Sequence, residues 1–342
     1  GEYLGDLLVD RPWLDDQQDS EDIAWVSYTG GTTGDPKGVM HTQKGMGATA
    51  EIARAAWQFP EQPHFLACSP ISHAAGFLVL PVLMLGGRVS LLPRFSPEPV
   101  IRCIENQGVN TLFLVPSMIY GLLDHPGVGQ RDLSNLEHII YASAPIAPER
   151  LREALHLFGP ILHQCYGQTE SIHITCMTHK EHNPSVSRRL ESVGRATLGM
   201  TVSVVDAHGS ALPLKEVGEI CVKGPSLLAG YWQRPEASAE ALQSGWLHTG
   251  DVGFMDEEGF LFIVDRLKDM IISGGFNIYS QDVERALTAH DSVDVAAFVG
   301  LPDRKWGERV HALVVLKAGR ECSEEELIGF LRQSTGPLLT PK

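Results

Sequence analysis

The chain has 342 residues, of which 43% are hydrophobic and 20% are charged, so it has the composition of an ordinary globular protein with about two domains. This balance excludes an intrinsically disordered chain, and no apolar run approaches the roughly 20 residues that span a bilayer. The net charge of −15, without a local basic patch, disfavours nucleic acid and anionic membranes as partners, but it allows small anions held by backbone amides.

The first half of the chain predicts alternating strands and helices. Residues 1–20 read as an acidic connector, Ile23–Tyr28 as a strand, and Val39–Trp57 as a helix. Strands that alternate with helices of about 10–15 residues indicate an α/β layer with a largely parallel sheet. The remaining predicted strands are 64–69, 88–92, 110–115, 137–143 and 161–165, and the remaining predicted helices are 73–85, 97–107, 116–124 and 148–158.

The pattern changes from about residue 192. Short strand-like pieces (TVSVVD, GEICVKG and GFLFIVD) are separated by Gly- and Asp-rich turns, which predicts antiparallel β structure. A compact α+β pattern with a helix near 280–289 follows the charged stretch 266–269. We therefore expect a domain boundary at 266–269, with domains over 1–267 and 268–342.

The six cysteines include no CxxC pair, which predicts reduced thiols and a cytoplasmic location. The first ten residues contain acids and lack the basic region and apolar run of a signal peptide.

The first motif with chemical meaning is the loop Thr29–Gly38, TGGTTGDPKG, which follows a predicted strand. Glycines let consecutive backbone amides point at one anion, threonines add hydroxyl donors, and Lys37 adds a cation. The loop lacks the Gly-Lys-[Ser/Thr] ending of a P-loop. It predicts polyphosphate binding, and the alternative is a flexible surface loop.

The second motif is Tyr166-Gly167-Gln168-Thr169-Glu170, directly after a predicted strand. The aromatic ring offers a face for a base, the threonine hydroxyl can bind phosphate, and the carboxylate suits Mg²⁺. On its own, this pentapeptide could equally be a plain turn.

The third motif runs from Trp246 to Asp251, with Asp265-Arg266 within 15 residues. A buried aspartate can accept both hydroxyls of a ribose, as an acidic residue does in other nucleotide-binding folds. The alternative is a surface β-turn, because Gly-Asp is common in turns.

Together the three motifs, in this order, resemble the signature motifs of the adenylate-forming superfamily, and most of all its carboxylate–CoA ligases. The stretches Pro70–Gly76, Ser143–Pro145 and Asp269–Asn277 add to the resemblance, which runs from about residue 22 to the end. It implies a large domain of layered α/β sheets with a small β-barrel-like subdomain, followed by a small α+β C-terminal domain. It also implies that a fatty or aromatic carboxylic acid is joined to AMP from ATP, with Mg²⁺, and is then passed to CoA.

The resemblance assigns roles by position. Thr29, Thr32, Thr33 and Lys37 would hold the β- and γ-phosphates, and His73 would border the acyl pocket. Thr169 would contact phosphate, with Glu170 on Mg²⁺, and Lys268 would be the domain hinge. The nucleotide and CoA would be bound by Thr29, Gly30, Gly31, Thr32, Thr33, Gly34, Lys37, Ser143, Ala144, Pro145, Tyr166, Thr169, Asp251, Arg266, Lys268, Gly274, Gly275 and Asn277.

Several alternatives remain open at this stage. The thiol acceptor could be a carrier protein rather than CoA, and the chain could be a non-catalytic fragment that binds nucleotide. Only about 28 residues precede the phosphate loop, and the last residues resemble the lead-in to the family's catalytic lysine, so both domains are expected to be incomplete. His173, Cys176, His179 and His182 have a spacing that could suggest zinc, but no second ligand pair accompanies them. His73 could have a structural role, and the sequence does not predict an oligomeric state.

Overall fold

The computed structural model describes residues 19–29, 36–273, 276–304, 306–336 and 340–341. The predicted site residues Gly30, Gly31, Thr32, Thr33, Gly34, Gly274 and Gly275 lie outside this part of the chain. None of the helices described is both long and apolar enough to cross a bilayer.

The helices are α1 (Gln43–Trp57), α2 (Val79–Met84), α3 (Pro97–Gln107), α4 (Pro116–Leu123), α5 (Pro148–Phe158), α6 (Pro235–Ala241), α7 (Ser280–Thr288) and α8 (Glu324–Thr335). Proline opens α3, α4, α5 and α6, where its missing N–H would have no partner in the helix. The Thr42 hydroxyl accepts a hydrogen bond from Gly45 N and so begins α1, while Ser323 and Glu326 form a capping box at the start of α8.

The strands are β1 (Ile23–Thr29), β2 (Lys37–Thr42), β3 (His64–Ala67), β4 (Arg88–Leu91), β5 (Thr111–Leu114), β6 (His138–Tyr141), β7 (Leu162–Gln168), β8 (Ser171–Met177), β9 (Arg195–Ala196), β10 (Thr201–Val205), β11 (Gly218–Lys223), β12 (Gly230–Tyr231), β13 (Leu242–Gln243), β14 (Trp246–Met255), β15 (Leu261–Arg266), β16 (Ile271–Ser273), β17 (Phe276–Ile278), β18 (Val293–Asp303) and β19 (Gly307–Leu316).

The largest sheet has seven strands in the order β4-β3-β5-β6-β7-β8-β9. Its first five strands run parallel, and β8 and β9 are antiparallel additions. Strands β3, β5 and β6 are buried along their whole length, as expected where helices cover both faces of a parallel sheet. One core cluster lies between this sheet and α3, α4 and α5, and another lies between it and α1 and α2.

Antiparallel pairing dominates the sheets that accompany this large one. A three-stranded sheet has the order β1-β2-β12, and a five-stranded sheet has the order β10-β11-β14-β13 with β15 also paired to β14. The second of these sheets lies in the region where the sequence predicts antiparallel structure, and the prediction is confirmed.

The C-terminal region forms a four-stranded antiparallel sheet, β17-β16-β19-β18, against α7 and α8. Its own hydrophobic core includes Ile278, Val283, Phe298 and Leu331. The mixed α/β class with a small C-terminal α+β unit is thus confirmed, while the boundary at 266–269, between β15 and β16, stays a prediction.

The structure corrects two predictions of local structure and adds a strand, β8. The predicted helix from Val39 begins at Gln43, because the preceding residues pair with β1 and Thr42 caps the helix. The predicted helix over 73–85 is a 3-10 helix, Ala74–Leu78, followed by α2. No strand is predicted over 171–177, where β8 pairs with both β7 and β9.

Candidate active site

A cavity of about 730 Å³ opens at the carboxyl ends of β6 and β7, the edge where ligands bind in open α/β sheets. Its lining includes three groups of residues from the sequence motifs: Ser143, Ala144 and Pro145 after β6; Tyr166, Gly167 and Gln168 at the end of β7; and Asp251 and Arg266 from β14 and β15. The structure therefore brings together residues from the second and third motifs, which lie far apart in the sequence.

The turn after β6 has a strained backbone. Ser143 has a φ of 75°, in the left-handed region that a non-glycine residue rarely adopts. Such strain persists where the surroundings over-determine the conformation, and it is often found at functional sites.

Asp251 is held by two partners inside the cavity wall. The Tyr166 hydroxyl donates a hydrogen bond to Asp251 Oδ2 at 2.6 Å, and Arg266 Nε lies 3.4 Å from Asp251 Oδ1. Asp251 and Arg266 are register partners across β14 and β15, so their side chains share one face of the sheet. Burial raises the pKa of Asp251, although the Tyr166 hydrogen bond and the Arg266 charge act in the opposite direction.

Hydrogen bonds also fix the loop before Asp251. The Thr249 hydroxyl donates to the Ile220 carbonyl oxygen at 2.6 Å and accepts from Asp251 N at 3.1 Å. Gln168 Nε2 donates to the Thr249 carbonyl oxygen at 3.2 Å, which ties β7 to β14 across the cavity.

Thr169 and Glu170 form the two-residue turn between β7 and β8, since Gln168 and Ser171 are register partners. The buried His41 lies below this turn, and its Nε2 donates to the Thr169 carbonyl oxygen at 2.7 Å. Because a carbonyl oxygen can only accept, Nε2 carries the proton, and burial lowers the pKa of His41.

Glu170 and Lys37 meet at one aromatic side chain that sequence analysis missed. The Tyr231 hydroxyl donates to Glu170 Oε1 at 2.8 Å, and Lys37 Nζ lies 4.9 Å from the centre of the Tyr231 ring. Lys37 opens β2 and pairs with Thr29 at the end of β1, so these two members of the predicted phosphate loop lie side by side. Tyr231 ends the short strand β12, and no spacing in the sequence connects it to either partner.

Helix α7 supplies a further wall of the cavity, which was also missed. Gln281, Arg285, Thr288 and Ala289 line it, and the first two are four residues apart on one helix face. Asp265, at the end of β15, holds this helix: its Oδ2 accepts from Ser280 Oγ at 3.0 Å and from Ser280 N.

The other predicted site residues lie away from the lining of this cavity. His73 is exposed at the start of the 3-10 helix, Lys268 is exposed between β15 and β16, and Asn277 is exposed on β17.

The histidines and cysteine that could suggest zinc have separate partners. His173 packs edge-on against Trp57, while His182 bonds the Thr178 carbonyl oxygen and the Tyr141 hydroxyl. Burial raises the pKa of Cys176 to about 12, so its thiol keeps its proton at neutral pH.

A different group, Glu219, Cys221 and His248, brings three metal-capable atoms within 4.8 Å of one another. His248 Nδ1 is already hydrogen-bonded to Glu219 Oε2 at 2.8 Å. Burial, with the Glu219 charge, raises the pKa of Cys221 to about 12. Cys221 Sγ also lies 3.4 Å from His248 Nδ1, so the three side chains form one hydrogen-bonded cluster.

Gly167 allows β7 and β8 to lie close together beside the turn. A Cβ at this position would lie 2.0 Å from the Ile172 carbonyl oxygen and 2.8 Å from the Ser171 carbonyl oxygen. We expect Gly167→Ala to lower the free energy of unfolding by about 2–3 kcal/mol, because the two strands must move apart. Chemical denaturation measures this change.

Gly47 in α1 provides the matched control, since a Cβ there would meet no atom within 4 Å. Gly47→Ala should raise the free energy of unfolding by about 0.5–1 kcal/mol. A Gly167→Ala variant as stable as the wild type would contradict the close approach of the strands.

Comparison with known proteins defines the class. The chain matches the AMP-binding enzyme family over residues 6–232 and the AMP-binding enzyme C-terminal domain over residues 282–342. It belongs to this family.

Individual relatives and solved structures are similar to most of this chain. The chain is 43% identical over 330 residues to the medium/long-chain-fatty-acid–CoA ligase FadD8 of Mycobacterium tuberculosis, an overlap of 94% of this chain and 57% of that protein. The structure of the amide bond synthetase McbA from Marinactinospora thermotolerans aligns with a TM-score of 0.85 at 38% identity, over 94% of this chain and 65% of that one. The o-succinylbenzoate CoA synthetase MenE from Bacillus subtilis, in complex with the acyl-adenylate intermediate OSB-AMP, aligns with a TM-score of 0.85 at 32% identity. The alignment covers 94% of this chain and 65% of that one. The chain thus spans less than two thirds of the length of these relatives.

Proposed function

We propose that the protein activates a carboxylic acid as its acyl-AMP, with release of pyrophosphate from ATP, and transfers the acyl group to CoA. The observation that carries this proposal is the pairing of Tyr166 with Asp251 in the wall of a cavity at the carboxyl ends of β6 and β7. The aromatic ring can stack on a base while the buried carboxylate beside it accepts hydrogen bonds from the ribose hydroxyls. Relatives that are named as CoA ligases, and one solved with an acyl-adenylate, support the same reading.

In this proposal the nucleoside occupies the cavity. Tyr166 stacks on adenine, the backbone of Ser143–Pro145 faces the edge of the base, and Asp251 accepts the ribose hydroxyls. Arg266 contacts the nucleotide from beside Asp251 and keeps that carboxylate in place.

The phosphates would lie toward Lys37, Thr29 and the loop 30–34. The carboxylate of Glu170 fits Mg²⁺, because it offers hard oxygen atoms and Tyr231 fixes its orientation. Glu170 and Thr169 would hold the ion, which when bound offsets the negative charge of the phosphates.

The chemistry proceeds in two displacements. A carboxylate oxygen of the acid attacks the α-phosphorus, the bond from that phosphorus to the bridging oxygen breaks, and pyrophosphate leaves. The CoA thiol sulfur then attacks the acyl carbon, the carbon–oxygen bond to AMP breaks, and the thiol proton passes to solvent. The residues mainly position two anions and neutralise charge, which are large contributions to catalysis.

The second displacement would use the small C-terminal domain, 268–342, turning against the domain 1–267 about a hinge at 266–269. Lys268 would serve as the hinge residue, Gly274 and Gly275 would line the path of CoA, and Asn277 would lie near the nucleotide. His73 would border the acyl pocket, where a fatty or aromatic chain is bound.

The test is a pyrophosphate-release assay of the full chain with ATP, Mg²⁺ and a panel of fatty and aromatic acids, with and without CoA. Mass spectrometry of the products separates acceptors, because CoA, a carrier-protein phosphopantetheine thiol and an amine give different adducts. The amine is included because McbA is named an amide bond synthetase. We expect acid-dependent pyrophosphate release and an acyl-CoA product.

Binding of AMP without acid-dependent pyrophosphate release would leave this chain as a nucleotide-binding unit alone. An acyl group found on the carrier protein but not on CoA would replace the proposed acceptor.

A further inference from the structure

Tyr231 occupies a firmly held position in the described part of the chain. It is 8% exposed and lies in β12, where it is the register partner of Val39 on β2. Its backbone N donates to Ser238 Oγ at 2.8 Å, so both its strand and α6 hold its main chain. A side chain anchored in this way can hold other groups in place.

The Tyr231 side chain makes two different contacts with charged groups. Its hydroxyl donates to Glu170 Oε1 at 2.8 Å, and its ring lies 4.9 Å from Lys37 Nζ. The phenol hydroxyl is the donor in this bond, because an ionised carboxylate can only accept. The ring attracts the ammonium through its negative π face.

These contacts set where two opposite charges lie. Lys37 comes from β2 and Glu170 from the turn between β7 and β8, which belong to different sheets. The ring binds the ammonium and the hydroxyl binds the carboxylate, so one rigid side chain determines their separation. Without it, the ammonium and the carboxylate would be free to attract each other directly.

We propose that Tyr231 is a positioning residue that holds Glu170 and Lys37 apart and oriented, so that the carboxylate binds Mg²⁺ while the ammonium binds the outer phosphates of ATP. This proposal rests on the proposed function, and it adds a residue that the three motifs do not contain. Outer partners of metal ligands typically change metal affinity by about 10–100-fold when they are removed.

Two substitutions separate the two contacts. Tyr231→Phe keeps the ring and removes the hydroxyl, so the Mg²⁺ concentration for half-maximal ATP binding should rise about 10-fold. Tyr231→Leu also removes the π face, so ATP affinity at saturating Mg²⁺ should fall as well. AMP lacks the outer phosphates, and its affinity without Mg²⁺ should stay within about 2-fold of the wild type in both variants.

The matched control is Tyr120→Phe, which removes a hydroxyl that accepts a hydrogen bond from Ala147 N at 2.9 Å and contacts neither Lys37 nor Glu170. Its Mg²⁺ requirement should equal that of the wild type. Unchanged AMP affinity in the Tyr231 variants also shows that they are folded.

Calorimetric titration of the full chain with AMP, and with ATP over a range of Mg²⁺ concentrations, distinguishes the outcomes. A Tyr231→Phe variant with the wild-type Mg²⁺ requirement would overturn the positioning role and leave the proposed function intact. A wild-type chain that binds neither nucleotide would overturn the proposed function, and the role of Tyr231 with it. Loss of AMP affinity in the variants would show that Tyr231 supports the fold instead.

Discussion

Asp251→Ala is expected to weaken AMP and ATP binding about 100-fold. Hydrogen bonds to a charged acceptor are each worth about 1.5–3 kcal/mol, and two ribose hydroxyls would lose theirs. The substitution also leaves the buried Tyr166 hydroxyl without the acceptor that lies 2.6 Å away. Because ribose contacts are present in ground and transition states alike, KM for ATP should rise while kcat changes little.

Calorimetric titration with AMP measures this loss of affinity. Two further variants serve as a comparison and a control. Tyr166→Phe keeps the ring and leaves Asp251, so it should weaken binding by less than Asp251→Ala. Asp294→Ala removes an exposed carboxylate on β18 and should leave AMP affinity unchanged. An Asp251→Ala variant with AMP affinity within 3-fold of the wild type would exclude the ribose role.

The second large effect is loss of stability in mild acid. Four histidines beside the seven-stranded sheet are at most 5% exposed, and burial lowers the pKa of each. These pKa values are about 4 for His138, about 2 for His163, about 3 for His173 and about 4 for His182, against 6.5 for an exposed imidazole.

The sign follows from which state binds the protons. Below pH 6.5 the unfolded chain takes up protons that the folded chain excludes, so stability is full above pH 6.5 and falls as the pH drops toward about 4. Each histidine lowers the free energy of unfolding by about 2 kcal/mol at pH 5, and four lower it by about 8 kcal/mol. That is comparable to the whole stability of a typical domain, so we expect unfolding near pH 5.

Urea titrations between pH 7.5 and 5 measure this dependence. His163→Phe keeps a ring against His138 and removes one titrating group, so the slope of stability against pH should fall by about one proton. A wild-type free energy of unfolding that is constant from pH 7 to 5 would contradict the prediction.

Much of the fold follows from local sequence. The apolar runs at β3, β5 and β6 predict buried parallel strands, and the apolar spacing of Val100, Ile101 and Ile104 predicts α3. Strands β2 and β8 were harder to predict, because a short strand forms where neighbouring strands pair with it. β2 pairs with β1 and β12, and β8 pairs with β7 and β9. Pairing between distant segments is not visible in a local pattern.

The site was predictable where a motif carries its own chemistry. The acidic and aromatic residues Tyr166, Glu170 and Asp251 stand out by type and context, and the structure brings Tyr166 and Asp251 into one cavity wall. The positions of Tyr231 and Arg285 at the candidate site could not be predicted in this way, because they depend on which sheet or helix face meets that site. Such residues acquire a role only from tertiary contacts.

The burial of the cysteines has a practical consequence. Five of the six thiols are buried and Cys322 is partly exposed. Desolvation raises the pKa of all six, so accessibility is what distinguishes Cys322 from the others. A thiol reagent should therefore modify one site in the native protein and six after complete unfolding. The number of labels on each molecule would report the population of opened molecules, and the identity of the labelled cysteine would show which sheet opens first.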